Sequence, residues 1–163
     1  GMLYHRTQRY EAAYYAFSRA IDCEPDLAMA YNNRGLVLKD LQNFGAAYAD
    51  FNRAITLQPR LSEPYNNRGA LSAQLQNFED ALADLTRSLE LAPQPPPFYT
   101  FFNRAGTLER LGQPQAALAD YSRALELAPN DADALYCRAK LLERLGAREQ
   151  AAADRARARQ LGN

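Results

Sequence analysis

The chain has 163 residues, and its 19 basic and 19 acidic side chains leave no formal net charge. Nucleic-acid-binding proteins need a basic surface, so this balance argues against a nucleic-acid partner. No segment is long and apolar enough for a membrane span, and no signal peptide is evident. We therefore expect a cytoplasmic protein without membrane insertion, from which a leader or neighbouring domains could have been removed before Gly1.

Basic residues and cysteines add two minor expectations. Only Lys39 and Lys140 are lysines and the remaining basic residues are arginines, which points to a GC-rich bacterial genome. Cys23 and Cys137 are far apart in sequence, so we predict that both are free thiols, as is usual in a reducing compartment.

Four prolines recur along the chain at nearly constant spacing. Pro25, Pro59, Pro93 and Pro129 are separated by 34, 34 and 36 residues. Self-similarity at this period is typical of arrays in which each copy is a pair of helices. We therefore predict one domain over residues 1–163, built from a partial copy over 1–27 and complete copies over 28–61, 62–95, 98–131 and 132–163.

The partial copy comes first in the chain. Ala13, Phe17 and Pro25 match the second helix of the later copies. The first helix of this copy is reduced to one or two turns that end near Gln8. Either this first helix was truncated, or the N-terminal end of the array is naturally open. In the second case its tyrosines could support self-association: Tyr4, Tyr10, Tyr14 and Tyr15.

Each complete copy is predicted to contain a first and a second helix. The first helices are expected near 28–41, 62–75, 98–111 and 132–145, and the second near 44–57, 78–91, 114–127 and 148–161. Pro114 suits the first position of a helix, and Asn130 and Asp131 suit an N-cap. Residues 94–97 are a proline-rich insert that lengthens one connection by two residues.

The repeated residues resemble the tetratricopeptide repeat family. In the first complete copy they are Tyr31-x2-Arg34-Gly35, Ala47-x3-Phe51 and Pro59. The resemblance implies an all-α, right-handed superhelical solenoid whose first helices line a concave groove. One departure is systematic, because Arg stands beside the small residue where the family usually has Leu.

The residues that enzymes and metal sites require are scarce. His5 is the only histidine and lies near the chain end, and neither cysteine has a CxxC partner. No glycine-rich phosphate loop is present, and the carboxylates follow the repeat instead of clustering. We therefore expect no enzymatic activity, no metal and no cofactor.

An asparagine column follows the first helices. Asn33, Asn67 and Asn103 occupy the same position in successive copies, and Cys137 ends the column. The resemblance implies that this column points into the groove, where an Asn side chain can donate to and accept from the backbone of an extended peptide. The alternative is that duplication repeated these residues and that they only satisfy neighbouring groups.

Other first-helix residues are expected to form the walls of the groove. Near the third and fourth copies they are aromatic and basic, which suits an apolar side chain beside an acidic one. The predicted wall residues are Asn32, Asn66, Tyr99, Phe102, Tyr136, Arg110, Lys140 and Arg144.

A second repeated pattern joins an arginine on each first helix to an aspartate sixteen residues later. This separation places the two residues on the two helices of one hairpin. A partly buried guanidinium needs a carboxylate, so we predict structural ion pairs inside every copy. They are Arg34–Asp50, Arg68–Asp84, Arg104–Asp120 and Arg138–Asp154.

These patterns favour a scaffold that binds a protein or peptide in the groove. Two alternatives remain open at this point. The chain could be a self-associating structural module, with a homo-oligomer formed through the open N-terminal end. It could also be the interaction domain of a larger protein whose catalysis lies elsewhere.

Overall fold

The computed structural model describes residues 2–161, with side chains from residue 9 onward. This part of the chain contains nine helices and no strand. The bounds are α1 Met2–Cys23, α2 Ala28–Asp40, α3 Phe44–Leu57, α4 Ser62–Gln74, α5 Phe78–Leu91, α6 Phe98–Arg110, α7 Pro114–Leu127, α8 Ala132–Arg144 and α9 Arg148–Leu161. The helices predicted from residue 28 onward are confirmed to within one residue at each end.

The expected break near Gln8 is wrong. Helix α1 runs without interruption from Met2 to Cys23, so the partial copy is one long helix and not two. No first helix folds back over α1 within the described residues, so nothing forces the chain to turn at Gln8. The side chains of Tyr4 and His5 lie outside the described residues.

The helices form an all-α solenoid of stacked hairpins. Each first helix packs most closely on the second helix of its own hairpin, as in α2 with α3 and α4 with α5. Each second helix then packs on the next first helix, and α2, α4 and α6 also contact one another in sequence. The first helices therefore form one continuous layer. We call the surface of this layer that is turned away from the second helices the inner face.

The turn inside each hairpin has the same backbone conformation. Its central residue has a positive φ: 60° at Gln42, 65° at Gln76, 72° at Gly112 and 84° at Gly146. Glycine adopts this left-handed region without steric cost, whereas glutamine does not. The conformation lets the chain reverse within three residues, which keeps the two helices of each hairpin in contact.

A small residue on the first helix faces a large one on the second. A Cβ added at Gly35 would lie 2.6 Å from Cε1 of Phe51, and one added at Gly69 would lie 2.9 Å from Cγ of Leu85. Phe51 and Leu85 are fully buried, so the helices approach closely because the first helix has no side chain there.

Local signals at two helix starts behave as expected. Pro114 is the first residue of α7, where a missing backbone N–H leaves no bond unmade. Asp131 caps α8 by accepting from the backbone N–H of Ala134 at 2.7 Å. Asn130 does not cap the helix; its side-chain oxygen instead accepts from Arg157 on α9.

Candidate functional site

The interior of every complete hairpin contains the ion pair expected from the sequence. In the first, Nε and Nη2 of Arg34 donate to the two carboxylate oxygens of Asp50 at 2.7 and 2.8 Å. The same two-bond geometry recurs for Arg68–Asp84, Arg104–Asp120 and Arg138–Asp154. The bonds to the carboxylates raise the pKa of Arg34 and of Arg68, so both guanidinium groups remain charged.

The same arginines also connect neighbouring hairpins, which the sequence analysis missed. Nη1 of Arg68 donates to Oδ1 of Asn52 on the preceding second helix at 2.5 Å. The corresponding acceptors of the other three arginines are Ser18, Thr86 and Ser122. The sequence did contain a signal for these contacts. A polar residue recurs sixteen or eighteen residues before each arginine.

Aromatic rings cover several of these guanidinium groups. Arg68 lies 5.8 Å from the ring centroids of Tyr48 and Tyr65, on the preceding and the same hairpin. Arg34 stacks similarly on Tyr14 and Tyr31. All four arginines therefore tie two hairpins together through polar contacts, and Arg34 and Arg68 add cation–π contacts on both sides. These contacts support the structural role that the sequence predicts for the arginine column.

Five asparagines form a continuous hydrogen-bonded ladder across α2, α4 and α6. Asn103 donates to Asn66 at 3.2 Å, and Asn66 donates to Asn67 at 3.2 Å. Asn67 then donates to Asn32 at 2.8 Å, and Asn32 donates to Asn33 at 3.2 Å. Since each bond links neighbouring residues or neighbouring first helices, the ladder connects α2, α4 and α6 through their asparagine side chains.

Asn32 and Asn66 are not the exposed groove walls that the sequence predicted. Only 2% of Asn32 and 6% of Asn66 is accessible, because both lie between adjacent first helices. The side-chain amides of both residues form hydrogen bonds with Asn33, Asn67 and Asn103, which are half-buried. The interior pair of asparagines thus positions the outer three and does not itself offer a surface.

The outer asparagines retain hydrogen-bonding capacity after the ladder has formed. Asn33 only accepts one bond, Asn103 only donates one, and Asn67 does both. An amide side chain has two N–H donors and an oxygen with two lone pairs. Each of the three therefore keeps at least one donor and one acceptor.

The inner face becomes aromatic at α6 and α8. Tyr136 is 58% exposed and Tyr99 is 40% exposed, whereas Phe102 is half-buried against the ring of Tyr121 at a centroid distance of 5.8 Å. Burial and, to a smaller extent, the carboxylate of Glu63 raise the pKa of Tyr99. Tyr99 and Tyr136 are thus the accessible aromatic groups, and Phe102 is mainly a packing residue.

The three predicted basic wall residues have different surroundings. Arg110 is stacked on Phe78 of α5, with 4.8 Å between its guanidinium carbon and the ring centroid. Arg144 donates to Oε1 of Glu109 at 2.7 Å. Lys140 is exposed and forms no ion pair among the residues whose side chains are described. Lys140 is therefore the basic group left available beside Tyr136.

A buried polar contact lies beneath this aromatic end. The hydroxyl of Tyr121 on α7 donates to Oε2 of Glu109 at 3.0 Å, and Glu109 also binds Arg144. Burial is the main cause of the strongly raised pKa of Tyr121, and burial also raises the pKa of the neighbouring thiol of Cys137. The cluster joins α6, α7 and α8 through side-chain contacts.

Within the described residues, no group of three or more His, Cys, Asp or Glu side chains is placed to hold a metal ion. None of the helices between residues 2 and 161 has the length and apolar character needed to cross a membrane.

Family comparisons agree with the repeat geometry. Models described as tetratricopeptide repeat match residues 28–61 and 62–95, and a third described as TPR repeat matches residues 110–146. The chain belongs to the tetratricopeptide repeat family. Membership in this family supports a protein-interaction scaffold and points away from catalysis. No curated protein matches this tetratricopeptide repeat chain.

Solved structures share the fold of this tetratricopeptide repeat chain at low sequence identity. PilF of Pseudomonas aeruginosa matches with a TM-score of 0.88 and 20% identity, over 100% of this chain and 73% of its own. MamA of Desulfovibrio magneticus matches with a TM-score of 0.81 and 16% identity, over 96% and 88% of the two chains. YrrB, described as having an unusual peptide-binding site, matches with a TM-score of 0.79 and 23% identity, over 90% and 74%.

Proposed function

We propose that this chain binds an extended segment of a partner protein along its inner face. The observation that carries the proposal is the asparagine ladder. It holds Asn33, Asn67 and Asn103 in line, and each keeps at least one donor and one acceptor. An extended backbone presents N–H and C=O groups at regular intervals, so such a row can bind it whatever its side chains are.

The ladder also lowers the entropic cost of binding. A free Asn side chain loses rotamer freedom when it binds, but these three are already held by Asn32 and Asn66. Groups that are ordered before binding give more affinity for the same contacts. The description of YrrB as a peptide-binding tetratricopeptide protein lends support from a structural relative.

The aromatic end of the inner face supplies side-chain selection. Tyr99 and Tyr136 can cover a large apolar side chain, and Lys140 can pair with an acidic one beside it. Aromatic residues dominate the energetics of most protein interfaces, whereas a rim charge mainly affects specificity and association rate. The preferred ligand is therefore an extended segment with an apolar residue next to an acidic residue.

The experiment is selection from a displayed library of random 12-residue peptides against the intact chain. The bound peptides are then measured by calorimetry with the parent and with the Asn33→Ala/Asn67→Ala/Asn103→Ala variant. Loss of three backbone contacts at about 1 kcal/mol each corresponds to a weakening of roughly 100-fold. The matched control replaces three exposed arginines of the second helices by alanine, Arg53, Arg87 and Arg123, and is expected to bind like the parent.

Circular dichroism must show equal helicity for the parent and both variants. Peptides that bind the asparagine variant as tightly as the parent would contradict the proposal, as would a selection that enriches no peptide. A weakening that is equally large in the arginine control would place the binding surface on the second helices instead.

A further inference from the structure

Gly106 is a glycine in the interior of α6 that the packing of the solenoid does not require. Glycine destabilises the interior of a helix relative to alanine. At Gly35 and Gly69 an added Cβ would lie 2.6 and 2.9 Å from a buried side chain, which explains those two glycines. A Cβ added at Gly106 would lie 3.8 Å from the hydroxyl oxygen of Tyr121, which is an ordinary van der Waals contact. An alanine would therefore fit at this position, so the glycine calls for another explanation.

The position of Gly106 is on the inner face, one turn of α6 after Asn103. Residues three apart in a helix lie on the same side of it, so Gly106 shares the face of the asparagine column. The equivalent residue carries a side chain in each of the other first helices: Leu36, Ala70 and Lys140. Because Gly106 is half-buried and has no side chain, the inner face has a depression there, which we call the Gly106 recess.

Three helices contribute the surroundings of the Gly106 recess. Phe102 lies one turn before Gly106 on α6, and its ring is 5.8 Å from the ring of Tyr121 between centroids. The hydroxyl of Tyr121 on α7 lies beneath the recess. Cys137 of α8 packs against the same cluster as Tyr121 and Phe102. The recess is therefore bordered by an aromatic ring and a thiol.

The polar groups next to the recess are already bonded to one another. The hydroxyl of Tyr121 donates to Oε2 of Glu109 at 3.0 Å, and Oε1 of Glu109 accepts from Arg144 at 2.7 Å. A ligand backbone placed in the recess would compete with these bonds for its own partners, and a buried polar group without a partner is costly. An apolar side chain has no such requirement, so the recess suits an apolar side chain.

We propose that the bound segment inserts one large apolar side chain into the Gly106 recess, while Asn103, one turn away, holds the backbone of the segment. The inference rests on the proposed function and deepens it, because it assigns the place of the apolar residue. Tyr136 is 58% exposed and is adjacent in sequence to Cys137, so its ring can cover the inserted side chain. The missing side chain of Gly106 thus lowers the stability of α6 and gives the ligand room.

The melting temperature of the free chain tests the first part of this argument without any ligand. Gly106→Ala should raise the melting temperature by about 1–4 °C, because alanine favours the helix and meets no obstacle. A lower melting temperature would overturn the proposal, since the glycine would then be required by packing. The matched control is Gly45, an exposed glycine of α3 with no packed atom within 4 Å of its Cβ position.

Calorimetry with two peptides tests the insertion itself. The first is the tightest peptide from the displayed library, and the second has alanine in place of the apolar residue whose replacement weakens binding to the parent most. Gly106→Leu should bind the first peptide about tenfold more weakly than the parent does, because leucine fills the recess. It should bind the second peptide at least as tightly as the parent does, since the smaller ligand residue leaves room for the leucine. Gly45→Leu should bind both peptides like the parent.

The outcomes separate this inference from the proposed function. If the first peptide binds Gly106→Leu as tightly as the parent but loses affinity for the Asn33/Asn67/Asn103 variant, the recess is wrong and the asparagine proposal stands. A weakening that no alanine replacement in the peptide relieves would also contradict the insertion, because the ligand backbone would then cross Gly106. A selection that enriches no peptide overturns both proposals. If Gly106→Leu loses helicity, Gly106→Ala replaces it, with an expected weakening of about threefold.

Discussion

The interior of the hairpins keeps the same residue contacts in every copy, whereas the inner face changes from copy to copy. The interior repeats one arrangement four times, with an arginine held by two bonds to an aspartate of the same hairpin and one to the preceding helix. The inner face changes along the chain, from buried and half-buried asparagines on α2 and α4 to exposed tyrosines on α6 and α8. Both regions use the same four first helices, and the interior also uses the second helices that carry the aspartates.

The difference shows where the repeat constrains the sequence. A guanidinium in the half-buried interior must keep its carboxylate, because an unpaired charge there is costly. A residue on the inner face meets no such demand and is free to change from copy to copy. Stability therefore rests on the uniform interior, and under the proposed function selectivity for a partner rests on the variable face.

The largest expected effect comes from breaking one interior pair. Asp84→Ala removes both carboxylate bonds of Arg68 and leaves that guanidinium with Asn52 and the rings of Tyr48 and Tyr65. We expect the free energy of unfolding to fall by about 3–5 kcal/mol. Urea unfolding followed by circular dichroism measures the change.

The matched control is Asp80→Ala, an exposed aspartate in the first turn of the same helix. It should cost less than about 1 kcal/mol, since only a favourable interaction with the helix dipole is lost. Equal unfolding midpoints for Asp84→Ala and the parent would show that the interior pairs do not stabilise the solenoid.

The second effect concerns the close approach of the two helices. In Gly35→Ala, the new methyl group would lie 2.6 Å from the buried ring of Phe51, so the hairpin must open. We expect a loss of about 1–3 kcal/mol. Gly45→Ala, where no atom lies within 4 Å, should instead stabilise α3 by about 0.5–1 kcal/mol. Thermal unfolding that moves both variants in the same direction would contradict this account.

The third effect tests a polar residue at a position that is apolar in the other hairpins. Ser72 is 1% exposed, and its hydroxyl has no hydrogen bond among the described residues, whereas Leu38, Leu108 and Leu142 occupy this position in the other hairpins. Ser72→Ala should raise the free energy of unfolding by about 1 kcal/mol, because the unsatisfied hydroxyl is removed.

Ser88→Ala is the matched comparison, since the Ser88 hydroxyl donates to the backbone oxygen of Ser62 at 2.9 Å. It should lower the free energy of unfolding by about 1 kcal/mol. A Ser72→Ala variant that is less stable than the parent would mean that the hydroxyl has a bonding partner in solution.

The smallest expected effect is on the alkylation rate of Cys137, the residue at the end of the asparagine column. Burial raises the pKa of Cys137, so less thiolate is present near pH 8, while Cys23 is exposed. We expect iodoacetamide to alkylate Cys23 about tenfold faster than Cys137, as followed by peptide mass spectrometry. Equal rates would show that the thiol of Cys137, which packs beside Tyr121, is more accessible than the structure indicates.

Interactions within one hairpin could be predicted from the sequence, because they join residues at a fixed short separation. The spacing of sixteen residues placed Arg34 opposite Asp50, and the period of 34 residues placed each helix to within one residue. The proline at the start of α7 and the cap at Asp131 are equally local.

Contacts between hairpins were harder to predict from the sequence, because they depend on how one copy is rotated against the next. Asn32 and Asn33 are adjacent in sequence, yet only Asn32 is buried between α2 and α4. Arg110, which was predicted for the groove wall and is exposed, also stacks on Phe78 of the preceding second helix. Neither outcome follows from the repeat pattern of a single copy.

The sequence by itself therefore determined the repeat, the helices and the ion pairs inside each hairpin. The tertiary structure alone decided which asparagines of the ladder are buried and which stay partly accessible, which basic residue beside Tyr136 has no ion pair among the described side chains, and that α1 is one continuous helix. The physical reason is that a helical period specifies the face on which a residue lies, whereas burial depends on whether another helix packs over that face.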